Sequence, residues 1–228
     1  LTPDGEMILD LARRILSLNE ELVSRLREPE MSGLVRLGAP EDFATSHLPQ
    51  VLASFARSYP QVALEVTCEL TLDLLERFDA GGLDLALVKR APSGTPAGIR
   101  VWREPLVWVG AHSGLVTDDG ALPLVVSPRP CVYRKRATDA LDGDQKPWRI
   151  AYTCGSLAGN HAAVRAGLGV TVLPKEMVPE DLVVLPGLPP LADTEIALVA
   201  AGQLKPPARR LAETITRELE RAGGISMG

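Results

Sequence analysis

GLVRLGAPEDFATSHLPQVLASFARSYPQVALEVTCELTLDLLERFDAGGLDLALVKR, residues 33–90, decides the fold class, because short β-branched and leucine-rich runs alternate in it with stretches of helical period. The spacing predicts a strand over 34–38 and a helix over about 46–58. A second strand follows over 62–67, after the stop at Tyr59 and Pro60. A helix over 71–80 is closed by Gly81 and Gly82, and a buried strand over 83–88 completes the unit. Strand and helix alternating in this way build a parallel sheet, so the class is α/β and these elements make half of a Rossmann-like lobe.

Outward from this stretch the same grammar continues. Residues 91–98 are rich in proline, glycine and small side chains and read as a loop. Residues 99–111 then form one long strand candidate able to cross between lobes. A second lobe follows, with strands expected at 122–126, about 149–153, 170–173 and 182–185, and helices at about 133–141 and 156–166, the latter ended by Gly167. A strand at 195–200 and a helix over 206–221, with Leu211, Ile215 and Leu219 four apart, close the chain. Lobe I is therefore expected over about 34–112 plus 193–221 and lobe II over about 113–192, within a domain spanning 31–228.

Before all this stands LTPDGE, residues 1–6. Thr2 can cap a helix, Pro3 suits its first turn, and Asp4 and Glu6 favour its positive end. Ile8, Leu11, Ile15, Leu18 and Leu22 then alternate steps of three and four, the seam of a two-helix coiled coil, until the pattern stops at Glu28, Pro29 and Glu30. Residues 1–30 thus read as a long dimerising linker helix; an amphipathic helix packed on its own domain is the alternative.

The chain has 228 residues and a formal net charge of -5, and its cations are scattered among acids. Duplex affinity rests largely on cationic neutralisation of phosphates, so this chain is not expected to hold DNA by itself. No run approaches the roughly 18 apolar residues of a membrane span, and residues 1–6 lack the features of a secretory signal, which sets the cytoplasm as the expected compartment. Cys68, Cys131 and Cys154 are odd in number and widely spaced, which suits free thiols.

A search for chemistry finds no metal and no catalytic set. His47, His112 and His161 are isolated from any second ligand at helical spacing, and the turn CGSLAG at 154–159 has its serine misplaced for a nucleophile elbow. No phosphate- or dinucleotide-binding glycine pattern follows a strand, so no cofactor is expected. What remains is polar residues at the carboxyl ends of strands, where open α/β sheets bind ligands. In the first lobe these are Glu41, Asp42 and Phe43, then Thr71, then Lys89 with Arg90. In the second they are Ser127, Pro128, Tyr133 and Arg134, then Thr153 and Ser156. Taken singly, Asp42, Thr71 and Ser156 can equally be helix caps.

These pieces, in this order, resemble the LysR-type transcriptional regulators. LTPDGE with its heptad helix resembles the linker to their DNA-binding head. GLVRLGAPEDF, HLPQVLASFARSYPQVALEV and LLERFDAGGLDLALV resemble their first lobe, and SLAGNHAAVRAGLGVTVLP resembles the helix and strand of their second. The resemblance implies two lobes of the type II periplasmic-binding-protein-like fold, a small-molecule effector held between them, a homodimer or homotetramer, and a DNA-binding head ahead of Leu1. It places Asp42 and Phe43 where many members carry a serine or threonine that helps hold a carboxylate, and an aspartate there repels one. Asp42 and Lys89, on neighbouring parallel strands about 4.8 Å apart, are expected to pair or to share one amphoteric ligand. A solute-binding protein for transport has the same two-lobe plan, but a transport receptor has no use for a dimerising coil.

Overall fold

The computed structural model describes residues 31–91, 98–115 and 120–222, together with Thr2, Ile8, Leu11, Ala12, Ile15, Leu16 and Asn19. Of these first seven, all but Thr2 are helical. The apolar ones stand open, with Ile8 and Ile15 each 65% exposed. Leu18, Leu22 and the rest of the expected linker lie outside the described residues.

The first sheet runs in the order β2-β1-β3-β10-β4, formed by β1 (Gly33–Ala39), β2 (Val62–Cys68), β3 (Leu85–Arg90), β4 (Ile99–Glu104) and β10 (Thr194–Ala200). β1 is parallel to β2 and β3, whereas β10 runs antiparallel to both β3 and β4. β3 lies centrally, and its first four residues, Leu85 to Val88, are all buried, as a strand covered on both faces requires. Helices α1 (Glu41–Ser46) and α2 (Leu48–Ser58) follow β1, α3 (Thr71–Asp79) follows β2, and α6 (Pro206–Ala222) closes the chain. Leu211, Ile215 and Leu219 of α6 are at most 1% exposed and pack with Phe43, Phe55 and Leu37 in the main core. Leu74 of α3 packs with Leu83, Ala86 and Val88 in a separate cluster.

The second lobe contains β5 (Leu106–Gly110), β6 (Leu122–Val126), β7 (Trp148–Thr153), β8 (Thr171–Pro174) and β9 (Val183–Val184), with α4 (Val132–Gly143) and α5 (Leu157–Arg165). β8-β5-β9 is antiparallel and β6-β7 parallel. A bridge between Leu124 and Val170, with Val125 N–H donating to Val170 O and Val170 N–H to Pro123 O at 2.8 Å, joins them in the order β7-β6-β8-β5-β9. Gly169 permits this join, since a Cβ there would sit 2.4 Å from Pro123 O. The two lobes thus repeat one strand plan, with one antiparallel strand inserted in each.

Two details depart from expectation. The single long strand over 99–111 is two strands in different sheets, separated at Pro105, which has no N–H for a ladder. The helix expected from residue 46 begins five residues earlier. It breaks at His47 because Pro49, in the first turn of α2, cannot donate back into α1.

Candidate functional site

β1 and β3 are adjacent and parallel, so the segments leaving their carboxyl ends face one crevice. Asp42, in the first turn of α1, and Lys89, near the end of β3, meet there: Nζ lies 2.6 Å from Oδ2, and the side chains are only 12% and 6% exposed. The Asp42 carboxylate also accepts the Phe43 N–H at 2.9 Å. Thr71, opening α3, accepts the Lys89 N–H at 3.1 Å and so ties the ends of β2 and β3 together. Arg90 faces the opposite side and pairs with the buried Glu195, as strand alternation requires.

The second lobe closes over this pair with Tyr133 of α4. Lys89 Nζ lies 3.7 Å from the centre of its ring, and the hydroxyl donates to Glu104 Oε1 at 2.9 Å. Glu104 ends β4, so the chain of contacts Asp42, Lys89, Tyr133, Glu104 begins and ends in the first lobe and passes through the second. A second bridge runs beside it: Glu41 Oε2 accepts the N–H of Leu157, the first residue of α5, at 2.9 Å. A carboxylate at a helix N-terminus satisfies a free donor and meets the positive end of the dipole. Deeper in lobe II, Asn160 donates to Ser127 Oγ at 3.2 Å and to Cys154 O, while Arg134 Nη1 donates to Ser127 O.

Burial alone would push the Asp42 carboxyl upward, but Lys89 and the hydrogen bonds it receives hold it below the ordinary carboxylate range. Glu104 goes the other way. Burial raises it to about 7, against the hydrogen bond from Tyr133 and with the help of the nearby Asp42 charge. Burial and then the two carboxylates push the Tyr133 phenol well above its usual value, so it stays a donor.

Of the residues expected to hold a ligand, the structure gathers Asp42, Thr71, Lys89 and Ser127 around one chamber of about 100 Å³, and Arg134 lines the space beside it. Phe43 is instead fully buried in the core of lobe I, because one step along a helix turns a side chain by about 100° away from the crevice. Pro128, Thr153 and Ser156 do not line the chamber. Thr153 and Ser156 are exposed, and Ser156 caps α5 by accepting the Gly159 N–H. Asp42 and Thr71 are not caps: the caps of their helices are Pro40 and Leu70. Glu104 was not anticipated; its one sequence signal is an acid beside Pro105 in a run around 101–110 where Arg103 is the only other charge. Among the described residues no three His, Cys, Asp or Glu are grouped to hold a metal, and no helix is long and apolar enough to cross a membrane.

The comparisons with known proteins place this crevice in a family. Residues 29–220 match the family model described as LysR substrate binding domain. The HTH-type transcriptional regulator DgdR of Burkholderia cepacia is 35% identical over 201 residues, which are 87% of this chain and 68% of that protein. PecT of Dickeya dadantii, also an HTH-type transcriptional regulator, is 30% identical over 87% of this chain and 63% of its own length. The chain therefore spans about two thirds of these relatives. The solved effector-binding domain of QuiR in complex with shikimate superimposes with a TM-score of 0.68 over 84% of this chain and 99% of that one, at 11% identity, a likeness of fold. A family match over this extent, two lobes of the type II periplasmic-binding-protein-like fold and a polar crevice between them make the role regulatory ligand sensing and not transport: the chain belongs to the LysR substrate-binding-domain family.

Proposed function

We propose that this chain is the effector-sensing part of a longer cytoplasmic transcriptional regulator, not an enzyme, and that its effector is an amphoteric small molecule. The observation that carries the effector class is the buried Asp42–Lys89 pair under Tyr133. A molecule with a cationic or donor end and an acceptor end replaces that pair with like chemistry, Asp42 taking the first and Lys89 the second, with Thr71 and Ser127 beside them. Burying a bare carboxylate against Asp42 leaves a repulsion that Lys89, already neutralised, does not offset. Arg134 already lines the space adjoining the chamber, whereas Pro128, Thr153 and Ser156 belong to the lobe II side of this proposal only if the lobes move.

Effector binding favours one arrangement of lobes, and the difference in affinity between arrangements is what can be passed on. The relay runs through a homodimer or homotetramer held in part by residues 1–30, where Ile8, Leu11 and Ile15 are open. It ends at a DNA-binding portion outside this chain, as the names of the two relatives support. Charges placed at Ile15 and Leu18 should yield a smaller species by light scattering.

The test is a thermal-shift screen of zwitterionic metabolites against simple monocarboxylates, repeated with Asp42→Ser and Lys89→Ala. Zwitterions should raise the melting temperature of the wild type and lose the effect in both variants. The paired Asp42→Asn/Lys89→Met variant, which leaves no lone buried charge, keeps the test readable if a single variant unfolds. A monocarboxylate that binds the wild type, loses nothing with Lys89→Ala and gains nothing with Asp42→Ser would overturn the reading.

A further inference from the structure

The chamber around Asp42 and Lys89 is not closed on itself. It shares Thr71, Lys89, Pro130, Cys131 and Val132 with a groove between α3 and α4 that is about five times roomier, about 520 Å³ against about 100 Å³. The groove therefore has room for a molecular body where the chamber admits only an end group.

The two spaces differ in chemistry as well as size. Glu41 and Asp42 face the chamber, where Lys89 is the one cation among its lining residues whose partner is Asp42 itself; Glu69, a third acid there, is bound to Arg77. The groove has an aliphatic wall of Leu72, 48% exposed, Leu75 and, across from them, Val132. Its charged residues are Arg129, Arg134, Lys135 and Asp139 beside Lys89. Lys135 and Asp139 neutralise each other at 2.8 Å, which leaves the two arginines. Arg129 makes no ion pair among the described residues, and the buried Nε of Arg134 makes no hydrogen bond there. Acid, aliphatic surface and guanidinium thus follow one another along one continuous space.

Resting on the amphoteric reading above, we propose that the effector is elongated, with its cationic end at Asp42 in the chamber, an aliphatic spacer on Leu72, Leu75 and Val132, and its anionic end at Arg129 and Arg134. Lys89, which lines both spaces, is released from Asp42 by the incoming cation and turns toward the anionic end. This order of groups selects against a compact zwitterion, whose two charges lie too close together to use the arginines.

The experiment titrates the whole chain with linear ω-amino carboxylates of three to eight carbons, and with alkylamines and alkanoates of the same lengths, by calorimetry. Affinity is expected to rise about threefold to fourfold for each methylene that reaches the aliphatic wall. It should then level off, with the amines and alkanoates at least about tenfold weaker. Leu72→Asn and Arg129→Ala are expected to weaken the long members about tenfold and leave the short ones unchanged, while Asp42→Asn weakens all of them. If compact zwitterions such as the three-carbon member bind as tightly as the long ones, and Leu72→Asn and Arg129→Ala change nothing, the effector is confined to the chamber. That result overturns the elongated ligand and leaves the amphoteric reading standing. If no amphoteric probe binds, or binding ignores Asp42→Asn, both fall together.

Discussion

The two lobes share one strand order but bring opposite chemistry to the crevice between them. Lobe I supplies carboxylates, Glu41 and Asp42 in the turn after β1 and Glu104 at the end of β4, with Lys89 as their internal counter-charge. Lobe II supplies donors: the Tyr133 hydroxyl, the Leu157 N–H at the start of α5 and the Arg134 guanidinium. A repeated backbone plan therefore does not make the lobes interchangeable. Acceptors on one side and donors on the other bridge the crevice, and a ligand that competes with them must itself offer both.

The sharpest way to break this contrast is to remove the counter-charge on the acidic side. Lys89→Ala leaves Asp42 buried and unpaired, and should cost about 3–5 kcal/mol in urea denaturation, while Asp42→Asn/Lys89→Met should recover most of it. A loss below about 1 kcal/mol would mean that water reaches Asp42 and that lobe I has no buried charge to balance.

Glu104 predicts a pH dependence of unusual sign for a carboxyl. Its folded value of about 7 lies above the unfolded 4.5, so the fold favours the protonated form. Stability from this group is full below about pH 4.5 and is lost as pH rises through 7, amounting to about 1–3 kcal/mol between pH 5 and 8. Melting curves of Glu104→Gln should be flat over that window by comparison. Asp42 acts oppositely: its lowered value contributes stability above the unfolded range that is lost only as pH falls through the folded value. A wild type no less stable at pH 8 than at pH 5 would contradict the assignment to Glu104.

Smaller effects probe the bridge itself. Glu41→Ala removes the acceptor of the Leu157 N–H and should cost about 1–2 kcal/mol, with faster amide exchange at Leu157 and a larger radius by small-angle scattering as the lobes part. Unchanged exchange at Leu157 would show that Glu41 does not hold the lobes. Ser156→Ala, which touches only the cap of the same helix, should cost about 0.5–1 kcal/mol and leave the radius as it is. Comparing the two separates bridging from capping at one helix end.

Much of this arrangement follows from local sequence. Turn signals and the switch between helical and alternating period mark most of the strands and helices, because backbone preferences act within a few residues. The meeting of Asp42 and Lys89 was legible too: both follow strands that pair side by side in a parallel sheet, so topology alone brings their side chains to one crevice. Tertiary structure decided the rest. Phe43 turned to the core while its neighbour Asp42 faced the cleft, a matter of helical phase fixed by where α1 starts. Pro105 divided one expected strand between two sheets, because each half found its hydrogen bonds on a different set of strands. Glu104 to Tyr133 and Glu41 to Leu157 join residues 29 and 116 positions apart across two lobes. No local pattern encodes such contacts, since they exist only once two separately built sheets have docked and the groups left facing each other are set by that docking.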